Sequence, residues 1–161
     1  MKTIGFVKSH KTQEKRIALL PEDLGNIRNK DAVFVEKGYG EDVRIRDEQY
    51  EEAGGLTVRR EEILKCDCIV DVKLGDADFM EEIEEGKTLI GWAHAVQKTD
   101  FTGSAIKKKH TVIAWEEIYV DGRYIFYRNR ELAGEAGVLQ AFLYLGKMPY
   151  ECRLAILGNG Q

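Results

Sequence analysis

The feature that most constrains this chain is the regular alternation of short β-rich runs with segments of helical character. Thr3–Val7 and Cys68–Val72 are typical of these runs: each is apolar or β-branched and is bounded by polar or turn-forming residues. Strands that are separated by helices usually join in parallel, because the connecting helix must cross the face of the sheet. The pattern therefore predicts an α/β domain with an open, mostly parallel sheet flanked by helices.

The predicted elements can be placed along the chain. Six segments are predicted as strands of the sheet: Thr3–Val7, Ala32–Glu36, Leu56–Val58, Cys68–Val72, Thr88–Trp92 and Thr111–Trp115. Helices are predicted from Pro21, from Asp47 to near Gly54, and over residues 61–65, 77–85 and 101–109. A hairpin turning at Asp121-Gly122 and a long helix over Glu131–Gly146 complete the pattern.

The last segment indicates how the chain is organised. Leu154–Leu157 has the composition of a buried strand and leads into Gly158-Asn159-Gly160. A strand followed by G-x-G opens the dinucleotide-binding fingerprint, although a lone G-x-G is a weak signal. We therefore expect residues 1–150, with a long interdomain helix near 131–146, to form one domain. Residues 151–161 would begin a truncated dinucleotide-binding domain, with Gly158 and Gly160 approaching the cofactor.

Composition excludes some classes of function. The chain has 161 residues, a formal net charge of −4 and 43% hydrophobic residues, which gives no support to a nucleic-acid or anionic-membrane partner. No apolar run reaches the length of a membrane span and the amino terminus lacks a signal-peptide pattern, so a cytoplasmic location is expected. The three cysteines do not suggest a disulfide framework, and no spacing predicts a metal site.

Three residues are candidates for the chemistry. Lys73 and His94 lie at or just past the carboxyl ends of predicted strands, where open α/β sheets bind ligands. Histidine is suited to proton transfer near neutral pH, and lysine to donating to a carbonyl or carboxylate. Arg16 enters an apolar run and is a candidate for carboxylate recognition. A solvated lysine, a structural histidine and a surface arginine are the alternatives.

Several carboxylates are weaker candidates. Glu116 follows a predicted strand, while Glu131 and Glu135 share one face of the predicted long helix. Any of them would suit recognition of a cationic amine, and solvated surface charge explains them equally well.

Several segments in matching order carry a resemblance to a known group. The segments are Glu14–Pro21 (EKRIALLP), Glu36–Gly40 (EKGYG), Asp71–Lys73 (DVK), Trp92–Ala95 (WAHA) and Glu131–Gly137 (ELAGEAG). Together they resemble the group of alanine dehydrogenases, transhydrogenases and saccharopine dehydrogenases, and they cover nearly the whole chain. Met1–Val7, Arg16–Leu24, Gly91–Gln97 and Gly146–Tyr150 look like the carboxyethylornithine synthases within that group.

The resemblance implies a homo-oligomer whose subunit has two Rossmann-like domains with a cleft between them. The part present here would bind a keto acid, and the other domain would hold most of the nicotinamide cofactor, expected to be NADPH with NADH possible. Carboxyethylornithine synthases condense pyruvate with the side-chain amine of ornithine or lysine, through an imine that is then reduced. The chain alone is therefore expected to be inactive and to bind no nucleotide tightly.

The resemblance also implies roles for the three candidates. Arg16 would clamp the carboxylate of pyruvate, and Lys73 would donate to the carboxylate or the carbonyl oxygen. His94 would move protons while the amine adds and water leaves. Alternative functions are an alanine dehydrogenase that uses ammonia, a saccharopine-type enzyme that uses 2-oxoglutarate, and a binding or assembly domain without catalysis.

Overall fold

The computed structural model describes residues 2–158, and its central feature is a six-stranded sheet. The strands are β1 (Ile4–Phe6), β2 (Val33–Glu36), β3 (Leu56–Val58), β4 (Cys68–Val70), β5 (Thr88–Gly91) and β6 (Thr111–Ala114). Every neighbouring pair is parallel, and the order across the sheet is β3-β2-β1-β4-β5-β6. All six predicted strands are confirmed, each starting or ending within two residues of the predicted bound.

The strand order places a switch point in the middle of the sheet. The chain runs outward from β1 through β2 to β3 and then returns to β4 on the other side of β1. Ile4 in β1 therefore lies between Val33 in β2 and Cys68 in β4. This is the strand order of a Rossmann-type sheet, and such sheets bind ligands at the carboxyl ends of the strands beside the switch point. The predicted fold class is confirmed.

Short helices and 3₁₀ turns connect the strands. The helices are α1 (Asp47–Glu52), α2 (Arg60–Ile63) and α3 (Thr99–Lys107). The 3₁₀ turns span Pro21–Asn26, Lys30–Ala32, Glu41–Val43, Leu74–Asp76, Trp115–Glu117 and Pro149–Glu151. The helix predicted from Pro21 is thus a 3₁₀ turn, in which Asp23 accepts the backbone N–H of Leu20 at 3.1 Å.

Apolar side chains pack in two clusters against the sheet. One cluster includes Ile63, Ile69, Leu74, Phe79, Leu89 and Phe101. The other includes Leu24, Val33, Val35, Tyr39, Tyr50 and Val70. The Tyr50 hydroxyl donates to the carbonyl of Leu19 at 2.9 Å, and burial raises the pKa of this phenol to about 12. The buried polar tip thus has the partner that its burial requires.

The helix predicted over residues 77–85 is wrong. The segment forms turns, yet it buries Phe79, Met80 and Ile83. The reason is a long-range contact: the ammonium of Lys108 donates to the carbonyls of Met80, Glu81 and Ile83 at 2.7, 2.7 and 3.0 Å. These carbonyls are therefore satisfied by one side chain from beyond α3 rather than by a helical ladder.

The chain divides into two units, Met1–Trp115 (unit 1) and Glu116–Gln161 (unit 2). Unit 2 contains the predicted hairpin, β7 (Tyr119–Val120) paired antiparallel with β8 (Arg123–Tyr124). The long helix α4 runs over Tyr127–Leu145 and so begins four residues before the predicted Glu131. The domain boundary predicted near residue 150 stays a prediction. Among the described residues no helix has both the length and the apolarity to cross a membrane.

The buried strand predicted at Leu154–Leu157 is wrong for the described residues. These residues form no strand, and Leu154, Ile156 and Leu157 are all exposed. A strand needs a neighbour to satisfy its backbone groups, and nothing in the described part of the chain pairs with this segment. Gly158, which follows, has a φ of +89°, in the left-handed region that favours glycine.

Candidate functional site

The candidate site is built from the loops that leave β1, β4 and β5 at the carboxyl edge of the sheet. Asp71–Lys73 follows β4 and Trp92–His94 follows β5, while the connection after β1 carries Glu14 and Arg16. The backbone N–H of Val7 donates to Val70 at 3.1 Å and so extends the pairing of β1 and β4 to this edge. The loops therefore meet beside the switch point.

Two glycines let the loops after β4 and β5 lie against each other. A Cβ on Gly91 would lie 1.8 Å from the carbonyl oxygen of Asp71, and the φ of Gly91 is +155°. A Cβ on Gly75 would lie 2.1 Å from the carbonyl oxygen of Ala93. The backbone N–H of Gly75 instead donates to Trp92 at 3.0 Å. Only glycine permits this close approach of backbone to backbone.

Arg16 is held by Glu14. The Glu14 carboxylate accepts Nε of Arg16 at 2.8 Å, Nη2 at 2.5 Å and the Arg16 backbone N–H at 3.0 Å. The Arg16 hydrogen bonds lower the pKa of Glu14, and the bond from Glu14 raises the pKa of Arg16. With only 7% of its side chain exposed, Glu14 fixes one edge of the guanidinium in place.

One indole brings two of the predicted residues together. The guanidinium carbon of Arg16 lies 4.8 Å from the centroid of the Trp92 ring, and the Lys73 Nζ lies 6.0 Å from the same centroid. Both distances fall within the range of cation–π contacts. The edge of Trp115 packs against Trp92 with ring centroids 5.0 Å apart. Two positive charges thus share one aromatic surface that a second indole supports.

His94 lies two residues beyond Trp92 and is exposed. Its φ of +45° is in the left-handed region, which is unusual for a residue with a side chain. The His94 carbonyl accepts the backbone N–H groups of Gln97 and Lys98, both at 2.9 Å, and so begins a turn. The strained backbone is therefore a fixed part of the loop that carries the imidazole.

Three residues at this site were not predicted from the sequence: Glu14, Asp71 and Trp92. Each lies inside a segment that carries the family resemblance, two residues before a candidate. For Asp71 a signal was present, since a carboxylate directly after an apolar strand must be hydrogen-bonded if it is buried. Glu14 gave no comparable signal because it is one charged residue in a polar run, and Trp92 gave none because it meets Arg16 from a separate loop.

An ionic network lies at the carboxyl ends of β1 and β2. Arg60 Nη1 lies 3.5 Å from Glu36, and Arg60 Nη2 pairs with Asp78. His10 Nδ1 lies 3.2 Å from Asp78, and the Lys8 backbone N–H donates to Glu36 at 2.7 Å. Burial raises the pKa of Glu36. The network ties the loop after β1 to α2 and so braces one side of the switch point.

Unit 2 contains the weaker carboxylate candidates. Arg128 lies 2.8 Å from Glu131 and 3.9 Å from Glu135, so these carboxylates share one guanidinium on their own helix. Glu116 is half-buried in the 3₁₀ turn at Trp115–Glu117. Recognition of an amine by any of the three stays a prediction.

A cavity of about 960 Å³ in unit 2 is lined by both of its Tyr–Arg stacks. Arg123 lies 3.8 Å from the ring centroid of Tyr127, and Arg130 lies 3.8 Å from that of Tyr124. Gly158 also lines this cavity, whereas the other predicted cofactor residue, Gly160, lies outside the described residues. Two carboxylates, Asp121 and Glu131, line the same cavity, so its charge is mixed and the contact of Gly158 with a cofactor stays a prediction.

Within residues 2–158 no group of three or more histidine, cysteine or acidic side chains is arranged to hold a metal ion.

The sheet and the loops at its carboxyl edge define a Rossmann-like α/β domain with a cationic site beside the switch point. The profile of the family described as "Alanine dehydrogenase/PNT, N-terminal domain" matches residues 5–125, and the chain belongs to this family. The resemblance seen in the sequence is thereby confirmed. Members of the family include dehydrogenases, so the chain is an amino-terminal domain of an oxidoreductase family that uses nicotinamide cofactors.

Individual relatives agree with this assignment. The chain is 32% identical to an N(5)-(carboxyethyl)ornithine synthase of Lactococcus lactis subsp. lactis, over 98% of this chain and 55% of that protein. It is 30% identical to a synthase of the same name from Clostridium botulinum, over 98% and 54% respectively. It is 29% identical to an alanine dehydrogenase of Methanococcus maripaludis, over 89% and 40%. The chain therefore spans about half the length of the synthases that it matches.

Solved structures show the same fold. An L-alanine dehydrogenase superposes with a TM-score of 0.66 at 22% identity, over 74% of this chain and 34% of that chain. A transhydrogenase from Sinorhizobium meliloti superposes with a TM-score of 0.63 at 24% identity, over 70% and 35%. At these identities the superpositions support the fold and carry no assignment of substrate.

Proposed function

We propose that the chain is the keto-acid-binding part of an NAD(P)H-dependent oxidoreductase that reductively condenses pyruvate with the side-chain amine of ornithine or lysine. The observation that carries the proposal is the pair of cations, Arg16 and Lys73, on the face of Trp92. Two positive charges beside a switch point suit a small carboxylate. The similarity to carboxyethylornithine synthases over 98% of the chain supports the choice of reaction.

Arg16 binds the keto-acid carboxylate in this proposal. A guanidinium carries five N–H donors on two edges. Glu14 contacts the edge formed by Nε and Nη2, and we propose that the guanidinium held in this way also binds the carboxylate of pyruvate. The Glu14 carboxylate also offsets one of the two positive charges, which leaves the site with a net attraction for a monoanion. Stacking on Trp92 limits the rotation of the guanidinium.

Lys73 and His94 act on the carbonyl carbon. The Lys73 ammonium donates a hydrogen bond to the carbonyl oxygen and stabilises the negative charge that develops as the amine adds. The imidazole of His94 takes a proton from the attacking amine and returns it to the carbinolamine hydroxyl, which leaves as water. The product of these steps is an imine that keeps the carboxylate bound to Arg16.

The reaction needs a nicotinamide cofactor, which supplies a hydride to the imine carbon when it is bound. We propose NADPH, with NADH as the alternative. Gly158 and Gly160 would let the backbone approach the pyrophosphate, while most of the contacts to the cofactor would come from a second domain. Calorimetric titration of the present chain with NADPH is expected to show no tight binding. Submicromolar affinity would contradict the proposal that a second domain makes most of the contacts to the cofactor.

The test of the proposal uses the complete protein and pairs each candidate with a matched control. Lys73→Ala and His94→Ala are each expected to lower kcat/KM by at least about a hundredfold, the usual effect of removing an oxyanion donor or a general acid–base group. Lys65→Ala and His110→Ala remove the same residue types away from the site and are expected to leave kcat/KM within about twofold, since Lys65 is exposed and His110 accepts the Lys87 backbone N–H just before β5, at the opposite edge of the sheet. Candidate variants with turnover close to the wild type would refute the assignment.

Arg16 is tested by a different readout. Arg16→Lys keeps the charge but loses the planar fork, and it is expected to raise the KM for pyruvate by about tenfold or more. Arg46→Lys, at an exposed position outside the site, is the control. An unchanged KM for pyruvate in Arg16→Lys would show that this guanidinium does not hold the carboxylate.

A panel of substrates separates the alternative reactions. Turnover with pyruvate and ammonia, but not with ornithine or lysine, would indicate an alanine dehydrogenase. Turnover with 2-oxoglutarate and lysine would indicate a saccharopine-type enzyme, and no turnover with any pair would favour a binding or assembly domain. The homo-oligomer that we also propose is tested by the mass of the complete protein in light scattering.

A further inference from the structure

Asp71 occupies an unusual position in unit 1. It follows β4 directly, beside the switch point, and it is only 1% exposed. Among the described residues it is the only charged residue that is buried as a whole, backbone included. Burying a carboxylate is costly unless its oxygens have partners, and no step of the proposed reaction uses this one. The contacts of Asp71 therefore need an explanation.

Those contacts connect three loops. The Asp71 carboxylate accepts the backbone N–H of Lys73 at 2.8 Å, which is an Asx turn that redirects the chain directly after β4. The Ser9 hydroxyl, from the loop after β1, approaches the carboxylate without reaching hydrogen-bond geometry. The Asp71 backbone N–H donates to Ile90 at 3.0 Å, and its carbonyl lies against Gly91.

The charges around the carboxylate are also defined. Burial raises the pKa of Asp71, and the Lys73 N–H, Ser9 and the charge of Arg60 act in the opposite direction. Asp78 adds a second negative charge nearby. An Asx turn needs only an acceptor oxygen, which either protonation state of the carboxyl group supplies. The Asx turn therefore forms in either protonation state of Asp71, and it sets the direction of the chain that leads to Lys73.

We propose that Asp71 is a positioning residue that turns the chain after β4 so that the Lys73 ammonium lies over Trp92, the ring that Arg16 also contacts. This inference rests on the proposed function, in which Lys73 contacts the keto acid. Lys73 has backbone angles of −114° and 51°, which are those of neither a strand nor a helix. Without the acceptor at Asp71, nothing in the described contacts of Lys73 holds its backbone N–H in this turn.

The decisive experiment compares Asp71→Ala with Asp71→Asn in the complete protein. Asp71→Ala removes the acceptor and is expected to raise the KM for pyruvate by about tenfold, the effect of one lost hydrogen bond, and to lower kcat as well, because a displaced Lys73 ammonium also stabilises the developing negative charge less. Asp71→Asn keeps an acceptor oxygen at the same place and is expected to restore the KM to within about threefold of the wild type. A merely structural role would lower the melting temperature and leave the KM unchanged.

Asp67→Ala is the matched control. Asp67 lies at the opposite end of the same strand, and its carboxylate accepts the backbone N–H of Thr3 at 2.8 Å and the Thr3 hydroxyl at 3.0 Å. Its removal is expected to lower stability without changing the KM for pyruvate. An equal rise of the KM in Asp67→Ala would show that loss of stability alone causes the effect and would overturn the inference.

Lys73→Ala separates a failure of the inference from a failure of the proposed function. Calorimetric titration of the complete protein with pyruvate measures binding directly, apart from turnover. Unchanged binding in Lys73→Ala would reject the role of Lys73 itself. Weaker binding in Lys73→Ala with unchanged binding in a folded Asp71→Ala would reject only the positioning role. If Asp71→Ala does not fold, Asp71→Ser, with a shorter acceptor, replaces it under the same criteria.

Discussion

The two units of the chain bury their apolar side chains to very different extents. In unit 1 the sheet is covered on both faces, and Leu89 in β5 is fully buried. In unit 2 the helix α4 leaves Leu143 73% exposed, and Leu157 beyond it is 99% exposed. Burial of apolar surface is the main favourable term in folding. Unit 1 is therefore stabilised by its own core, while the described part of unit 2 depends on local helix and hairpin hydrogen bonds.

The charged contacts differ in the same way. Unit 1 has local ion pairs too, but several of its pairs join residues far apart in sequence, such as Glu36 with Arg60 and Lys98 with Asp76. In unit 2 Arg128 pairs with Glu131, one turn further along the same helix. Long-range pairs fix loops relative to one another, whereas a pair within a helix supports only that helix. A site that needs loops from separate strands therefore belongs in unit 1.

The largest effect is expected from Gly91→Ala. The new Cβ would lie 1.8 Å from the carbonyl oxygen of Asp71, at a φ of +155° that alanine rarely adopts. Neither backbone can move without breaking the pairing of β4 and β5, so the loss of stability is expected to exceed about 4 kcal/mol. Urea unfolding followed by circular dichroism measures this loss.

Gly25→Ala is the control for Gly91→Ala. A Cβ at Gly25 would meet nothing within 4 Å. The free energy of unfolding of Gly25→Ala is therefore expected to stay within about 1 kcal/mol of the wild type. A Gly91→Ala variant as stable as Gly25→Ala would mean that the loops after β4 and β5 do not meet as described.

A paired leucine substitution tests the burial difference itself. Leu89→Ala empties a fully buried position in unit 1 and is expected to cost about 2–5 kcal/mol. Leu143→Ala removes the same atoms from an exposed face of α4 and is expected to cost no more than about 0.5 kcal/mol. Chemical unfolding of both variants provides the comparison, and similar losses would show that the face of α4 at Leu143 is covered.

The strands and the strand-end residues followed from the sequence, because an apolar run bounded by turns reports both a strand and its end. Lys73 and His94 were singled out in this way and Arg16 because it enters an apolar run, whereas the specific roles of all three rested on family resemblance. Residues 77–85 were mistaken for a helix because their carbonyls bind Lys108, which is distant in sequence. Local composition carries no information on such a contact.

The supporting residues of the site show the same limit. Glu14 and Trp92 act through contacts with Arg16 and Lys73, and only the fold brings the loops of Trp92 and Arg16 together. At Leu154–Leu157 the composition predicted a strand that the described residues do not form, because a strand needs a paired neighbour as well as a suitable composition. Composition thus predicts elements better than it predicts which elements meet.

The two carboxylates at the site of unit 1 are expected to give stability opposite dependences on pH. The Arg16 hydrogen bonds lower the pKa of Glu14 below its usual 4.5, so its stabilising contribution is present above that value and is lost as the pH falls through the folded pKa. Burial raises the pKa of Asp71 above its usual 3.8, so the folded chain binds that proton more tightly than the unfolded chain. The contribution of Asp71 to stability therefore decreases as the pH rises from its usual pKa of 3.8 through the higher pKa of the folded chain.

Two variants separate these dependences. Relative to the wild type, Glu14→Gln is expected to become less stable as the pH rises from 3 to 7 (approximate limits that bracket both carboxyl pKa values), while Asp71→Asn is expected to become more stable. Chemical unfolding at several pH values in this range gives both slopes. Slopes of the same sign would mean that one of the two carboxylates is not in the environment described.

The smallest effect is expected from alanine at open glycines in two helices, one in each unit. Gly103 in α3 and Gly137 in α4 would each accept a Cβ with nothing within 4 Å. Alanine at an exposed helix position is favoured over glycine by about 0.5–1 kcal/mol, chiefly through backbone entropy. The helix α4 is stabilised mainly by its own hydrogen bonds. The full stabilisation by alanine is therefore expected to appear as slower amide exchange along α4. In α3, which is anchored to the core by Phe101 and Ala105, it is expected to slow exchange less, because packing already holds the helix. Equal slowing in the two helices would show that α4 is as firmly anchored as α3.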